Sequence, residues 1–238
     1  MRWMLITGLA VCALVALLCQ AASAQPPSPA PPTVIDGPNA AIVGLSGIAV
    51  ARDGTGGLVY LKQVGGVQHV FVSQLAGSFQ PAQQVDAGLP GPSSQPVIAA
   101  SGGGLLLVAF INGGQLYVVD RLSTSSAFAA PHPLAAGASN PAIALTTLGK
   151  AYLAFAVTGS GGHDVRCAYY NRGSWSVESA PFDASPGNDA GAGAGRPAVD
   201  AAGDGVGIVV WGEAGHVFSR RSPSAKCSQT VQPSNRGC

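Results

Sequence analysis

Residues 47–61 read GIAVARDGTGGLVYL, and the pattern returns three times: PVIAASGGGLLLVAF at 96–110, PAIALTTLGKAYLAF at 141–155 and PAVDAAGDGVGIVVW at 197–211. Each segment starts with Gly or Pro, runs through small or apolar residues and turns at a polar or glycine-containing step. Each ends on a large apolar side chain, Leu61, Phe110, Phe155 or Trp211. The starts lie 49, 45 and 56 residues apart. Short β-branched or aromatic runs punctuated by Gly, Asn, Asp and Pro, with no helical period, predict pairs of strands joined by a hairpin.

The match continues past the first hairpin. A third strand follows as VQHVFVSQL, GQLYVVDRL, DVRCAYYN and GHVFSRR, and a fourth opens at GSFQPAQQV, SAFAAPHPL and GSWSVESAP. The aromatic of that fourth strand (Phe79, Phe128, Trp175) lies 18, 18 and 20 residues beyond the closing residue of the second. Four antiparallel strands per repeat predict an all-β protein, a β-propeller of four-stranded blades with about four repeats. One small twisted sheet cannot cover both its faces, so such blades stack and bury each other's apolar sides.

Outside the repeats the chain changes character. Residues 1–24, MRWMLITGLAVCALVALLCQAASA, carry one positive charge, an apolar run too short to span a bilayer, and small residues before Gln25. That order predicts a cleaved secretory signal and a secreted or periplasmic location, with no membrane association afterwards. Residues 25–32, QPPSPAPP, are a proline-rich spacer. The repeat domain is expected over 33–221, and residues 222–238 read as an irregular tail without strand periodicity.

The repeats resemble the blades of secreted bacterial β-propellers of the sialidase-like kind. The resemblance covers roughly residues 46–221 and rests on strand order and spacing. The Asp-box of sialidases, Ser-x-Asp-x-Gly-x-Thr-Trp, is not matched. ARDGTGG at 51–57 and DAAGDGVG at 200–207 lack its Ser and its Thr-Trp. The arginine triad, tyrosine nucleophile and acidic partner that the resemblance implies for sialidase activity have no identifiable positions, and none is assigned. Three complete repeats and a fourth that stops after its third strand leave two readings of the ring. In one, the N-terminal stretch TVIDGPNAAIVG supplies the missing outer strand and closes four blades, removing exposed edges. In the other, the chain is a truncated piece of a six- or seven-bladed ring.

Composition narrows the function. Loss of the signal would remove Arg2 and leave 11 basic against 11 acidic residues. No basic run interleaved with aromatics offers a nucleic-acid footprint. Cys12 and Cys19 leave with the signal. Of the remaining three cysteines, Cys227 and Cys238 form the expected bridge in an oxidising compartment, and Cys167 reads as a small core residue of a strand. There is no CxxC, so no structural zinc or other cofactor is expected.

The polar residues that stand out each have a plain structural role available. Asp53, Asp200 and Asp204 are placed at hairpin turns, where Asp bonds nearby amides, and their pattern is too sparse for a calcium rim. The glycine-rich stretch DASPGNDAGAGAGR at 183–196 reads as a mobile linker between blades. His69, His163 and His216 fall near third strands and His132 in a fourth, with no metal-ligand spacing. Asp164 and Glu213, beside His163 and His216, read as turn acids, and no GxSxG elbow supports a Ser-His-Asp triad. Only 10% of residues are charged, against about 25% in an ordinary domain, which leaves few groups for acid/base work. The expected function is a non-catalytic binding or scaffold module, with a glycan or an extracellular protein as partner. The alternatives are a glycan-active, sialidase-like hydrolase and a truncated propeller without independent function.

Overall fold

Seventeen strands and two short 3-10 turns make up the regular structure of the described residues. A computed structural model describes residues 29–159, 161–185, 187–222 and 231–233. Residues 1–24, read as a signal, residues 25–28 of the expected spacer, and Cys227 and Cys238 lie outside them. Residues 35–238 form one unit, while 29–34, from the preceding unit, have no regular structure.

Sheet 1 holds β1 (Ile42–Val50), β2 (Gly56–Val64), β3 (Val67–Ala76), β4 (Ser78–Phe79) and β5 (Gln83–Gln84). Its last two pieces are one outer strand interrupted at Pro81, which cannot donate to a ladder. Sheet 2 holds β6 (Ser93–Ser101), β7 (Leu105–Asn112), β8 (Gln115–Arg121) and β9 (His132–Ala136). Sheet 3 holds β10 (Ala138–Leu145), β11 (Ala151–Gly159), β12 (Gly162–Asn171) and β13 (Ser174–Val177). Sheet 4 holds β14 (Ala198–Ala201), β15 (Gly207–Glu213), β16 (His216–Ser222) and β17 (Val231–Pro233). Every pairing is antiparallel, and strand order in each sheet follows chain order.

Tight turns set this meander. Gly65–Gly66 and Gly113–Gly114 both have positive φ at the two central positions, the type I′ geometry whose twist matches the flanking strands. Cross-strand partners then define equivalent positions. Tyr60 faces Phe71, Phe110 faces Tyr117, Phe155 faces Arg166 and Trp211 faces Phe218. The large residue of the first repeat is therefore Tyr60, one position before the Leu61 expected from the gap-free alignment.

Consecutive sheets pack face to face, β1 and β2 on β6, β6 on β10, and β10 and β11 on β14. Phe110 joins Val59, Val70 and Val72 in a cluster between sheets 1 and 2. Phe155 joins Ala109, Leu116 and Val118 between sheets 2 and 3. Trp211 joins Ala154, Cys167 and Tyr152 between sheets 3 and 4. In each case a large side chain from one sheet packs on the apolar face of the sheet before it, with an alanine in the cluster under Phe155 (Ala109) and Trp211 (Ala154), the complementarity that close packing demands. Cys167 is fully buried in β12, as its composition suggested.

Two expectations are corrected. The stretch at 33–44 supplies no outer strand to sheet 4, because from Ile42 the chain enters β1, the first strand of sheet 1. The fourth strand of the last sheet is β17, taken from the segment read as an irregular tail. No described strand of sheet 4 pairs with sheet 1, so the closed four-bladed ring is not formed.

Candidate functional site: a cleft between the first strands

The first strands of all four sheets border one cleft of about 370 Å³. Its lining comes from equivalent places in the repeats: Ser46 and Gly47 on β1, Val97 and Ile98 on β6, Asn140 to Ile143 on β10, and 196–199 leading into β14. The side chains give it an apolar floor and a polar rim of Ser46, Asn140 and Arg196, of which Ser46 and Arg196 are exposed. Asn140 and Arg196 directly precede the Pro that opens their repeats, and Ser46 stands in the place of that Pro in the first.

The backbone at this rim is strained. Gln95 and Asn140, equivalent residues before Pro96 and Pro141, both have φ of 52° and sit where the strand register shifts. Positive φ at non-glycine residues costs on the order of 1 kcal/mol or more and gathers at functional positions. The strain is locked by side chains: Gln95 Oε1 accepts the Asn140 N–H at 2.6 Å, and Asn140 Nδ2 donates to the Gly191 carbonyl at 3.5 Å. A second hollow, about 800 Å³, lies between sheets 2 and 3 beside Leu105, Leu122, Leu148, Lys150 and Arg172. It is made of turns particular to those two sheets, whereas the cleft uses all four repeats.

The residues singled out from sequence lie elsewhere, in turns, in strands and, for some, at contacts between sheets. Asp53 occupies its turn, accepting from Thr55 N–H at 3.0 Å and Thr55 Oγ1 at 2.7 Å, and it reaches sheet 2 through Gly103 N–H at 2.6 Å. Those donors, Thr55 Oγ1 foremost, hold its carboxyl below the usual range. Asp204 caps its own turn through Val206 N–H. Asp200 is no turn residue: it lies in β14 opposite Ile208, because the turn begins only after Ala201. His132 lies in β9, and His216 in β16 meets the edge of Phe218.

His69 and His163 each meet an acid, in unlike settings. His69 Nδ1 lies 3.1 Å from Asp86, which is fully buried and also accepts from Val70 N–H and Ser93 Oγ. Asn112 donates in turn to Ser93 Oγ. Ser, His and Asp thus meet here, but the serine hydroxyl donates to the aspartate and not to the histidine, so the set is a structural link between sheets 1 and 2. His163 Nδ1 bonds the exposed Asp189 at 2.8 Å.

The described residues of the stretch 183–196, expected to be a mobile linker, are held by hydrogen bonds to sheets 3 and 4. Glu213, placed in a turn by the sequence reading, ends β15 at 3% exposure and accepts from Ala184 and Ser185 N–H at 2.8 Å each and from Trp211 Nε1 at 3.1 Å. Burial works against its charge, yet these donors keep its pKa below the usual value. Asp183 Oδ1 accepts Val165 N–H at 2.7 Å, as Asp86 accepts Val70 N–H.

Asp164, which lies in β12 and not in a turn, takes the place that His69 has beside Asp86. Asp183 therefore faces a carboxylate, and its Oδ2 is buried with no donor among the described residues. Burial first, then Asp164 and Glu213, push its pKa up to about 6 from an ordinary 3.8. A carboxyl whose folded pKa is raised contributes stability below its unfolded pKa and loses it as pH rises through the folded one. The chain is expected to lose thermal stability between about pH 4 and 6 from this group. Asp183→Asn removes the repulsion and flattens that slope, raising Tm at pH 8 by about 2–4 °C for each kcal/mol relieved. Thermal melts across pH check this; a variant with the parent's slope contradicts it.

No family model matches the chain, and no curated protein matches it in sequence. Among solved structures, a protein of unknown function from Dyadobacter fermentans is similar at TM-score 0.51 and 13% identity, over 74% of this chain and 64% of that one. The Hadza microbial sialidase Hz136 is similar at TM-score 0.52 and 12% identity, over 78% of this chain and 45% of that one. The chain thus spans less than two thirds of either. At such identity the likeness shows the fold alone: a propeller-like all-β architecture of four antiparallel sheets.

Proposed function

We propose that this chain is an exported, non-catalytic binding module of β-propeller type, and that its ligand seat is the cleft between the first strands. The observation that carries the reading is the cleft's construction from the first strands of all four repeats, with a strained rim residue, Asn140, locked by Gln95. Rigid scaffolds that present a few convergent polar groups over an apolar floor suit recognition. A glycan is the ligand class to test first, supported by the structural likeness to a sialidase. Hydrolysis of a glycan would call for two carboxylates flanking the scissile bond. The polar side chains at the rim are a hydroxyl, an amide and a guanidinium, which favours holding a sugar over cleaving it.

A glycan array probed with the chain and with Arg196→Ala tests this. The expected result is one retained glycan class whose affinity falls about tenfold or more in the variant, the size of a lost charge-assisted hydrogen bond. Equal binding by both chains, or release of sugar from the array, would overturn the proposal.

A further inference from the structure

Among the described residues, two sheet faces at opposite ends of the stack carry exposed apolar side chains, and they are of opposite kinds. Within the chain, each interface joins a forward face, turned to the next sheet, to a backward face, turned to the previous one. On the forward faces of sheets 2 and 3, Leu107 and Tyr152 are fully buried. Ile208 is their equivalent in sheet 4, set by the same ladder position opposite Arg221, and it is 46% exposed. Val217, on the same face, is 69% exposed. Between them, among the described residues, lie small or modest side chains, Val210 opposite Ser219 and then Gly212, while the exposed Asp200 and Arg221 flank Ile208 on either side. This is the hollow type of surface that Ala109 and Ala154 provide to Phe155 and Trp211.

The backward face of sheet 1 is the complement. Ile98, Ile143 and Val199 pack against or beside the preceding sheet and are partly buried; their equivalent Ile48, opposite Leu58, is 62% exposed. Leu45 on the same face is 77% exposed. The outer part of this face is covered by the chain's own segment near Asp36, which accepts from Tyr60 Oη at 2.6 Å and Lys62 Nζ at 2.9 Å. The inner part, built by β1, is open.

We infer that the forward face of sheet 4 in one copy docks on the backward face of sheet 1 in a second copy, head to tail, so that two chains complete one ring. The argument is continuity with the three interfaces inside the chain: the same ladder positions, one end bearing the hollow and the other the bulky face. Each copy carries one face of each kind, so a second copy satisfies both at once, whereas an unrelated partner would have to supply two different surfaces. A head-to-tail contact must close to avoid open polymers, and a two-fold pair is the smallest closed solution. Burying the apolar groups on both faces supplies the driving force.

The test is light scattering on the full chain across a concentration series, with Ile48→Lys and Ile208→Lys as variants. Both side chains are largely exposed, so the folded chain tolerates the changes, and unchanged circular dichroism confirms it. The expected result is a dimer for the parent and a monomer for each variant. An equimolar mixture of the two variants regains a dimer, because one of its two interfaces carries neither lysine. A monomeric parent, a dimer that survives both substitutions, an open series of larger species, or a mixture that stays monomeric would each overturn the inference.

Discussion

Replacing Glu213 with alanine is expected to lower the unfolding free energy by about 2–3 kcal/mol, because it strands the buried Trp211 Nε1–H together with two part-buried amides. The carboxylate at the end of β15 is the only described acceptor shared by Ala184 N–H, Ser185 N–H and Trp211 Nε1. Each buried donor left without an acceptor costs roughly 1–3 kcal/mol. The loss propagates beyond the strand. Ala190 bridges to Glu213, and Gly191 N–H bonds Gly212 O, so this end of sheet 4 holds the segment from one side while β12 holds Asp183, Asp189 and Ala190 from the other. Urea unfolding gives the free energy, and limited proteolysis within 183–196 should accelerate in the variant. Glu213→Gln, which keeps one acceptor oxygen, should recover part of the loss. A variant within 1 kcal/mol of the parent on the same urea measurement would contradict this role.

The second large effect is at the interface of sheets 3 and 4. A Cβ on Gly207 would stand 2.6 Å from Cδ2 of Tyr152. That ring cannot retreat: it is fully buried, and its hydroxyl donates to Gly205 O at 2.6 Å. Gly207→Ala is therefore expected to cost about 3 kcal/mol, the upper range for overpacking a close-packed core. Tyr152→Phe combined with Gly207→Ala tests the cause. Freeing the ring from Gly205 lets it shift, so the double variant should be less unstable than the sum of the singles. Strict additivity in the same unfolding assay would place the strain elsewhere.

The architecture was largely legible in the sequence, because sheet order and strand spacing follow from patterns that repeat four times. The alignment erred by one residue in the first repeat. Its turn is built as in sheets 3 and 4, Val50 pairing with Gly56 as Leu145 pairs with Ala151 and Ala201 with Gly207, so the whole segment is offset: Ser46, not Gly47, stands in the place of Pro96. β17 escaped notice because three residues are too few to show alternation. The N-terminal stretch was assigned to the wrong sheet since its apolar residues suit any strand, and only the ladder decides which one they join.

The site was less legible than the fold. Asp86 and Asp183 sit in VDAG at 85–88 and FDAS at 182–185, a repeated apolar-Asp-Ala signal that could have been found, with Ala135 standing in the corresponding LAAG of the second repeat. Glu213 was read as a turn acid because its neighbours Ala214 and Gly215 form the turn, while burial beside Trp211 is a tertiary fact. The strained rim left only a polar residue before Pro as its trace. Gln95 and Asn140 are joined by a bond across 45 residues, which no local pattern reveals.

The cleft as ligand seat is tested most directly by hydrogen exchange, with and without the glycan best retained on the array. The account predicts slowed exchange at the starts of the inner strands, around 94–98, 139–143 and 195–199. Protection confined to the hollow beside Leu122, Leu148 and Arg172, or no protection in the inner strands, would contradict it.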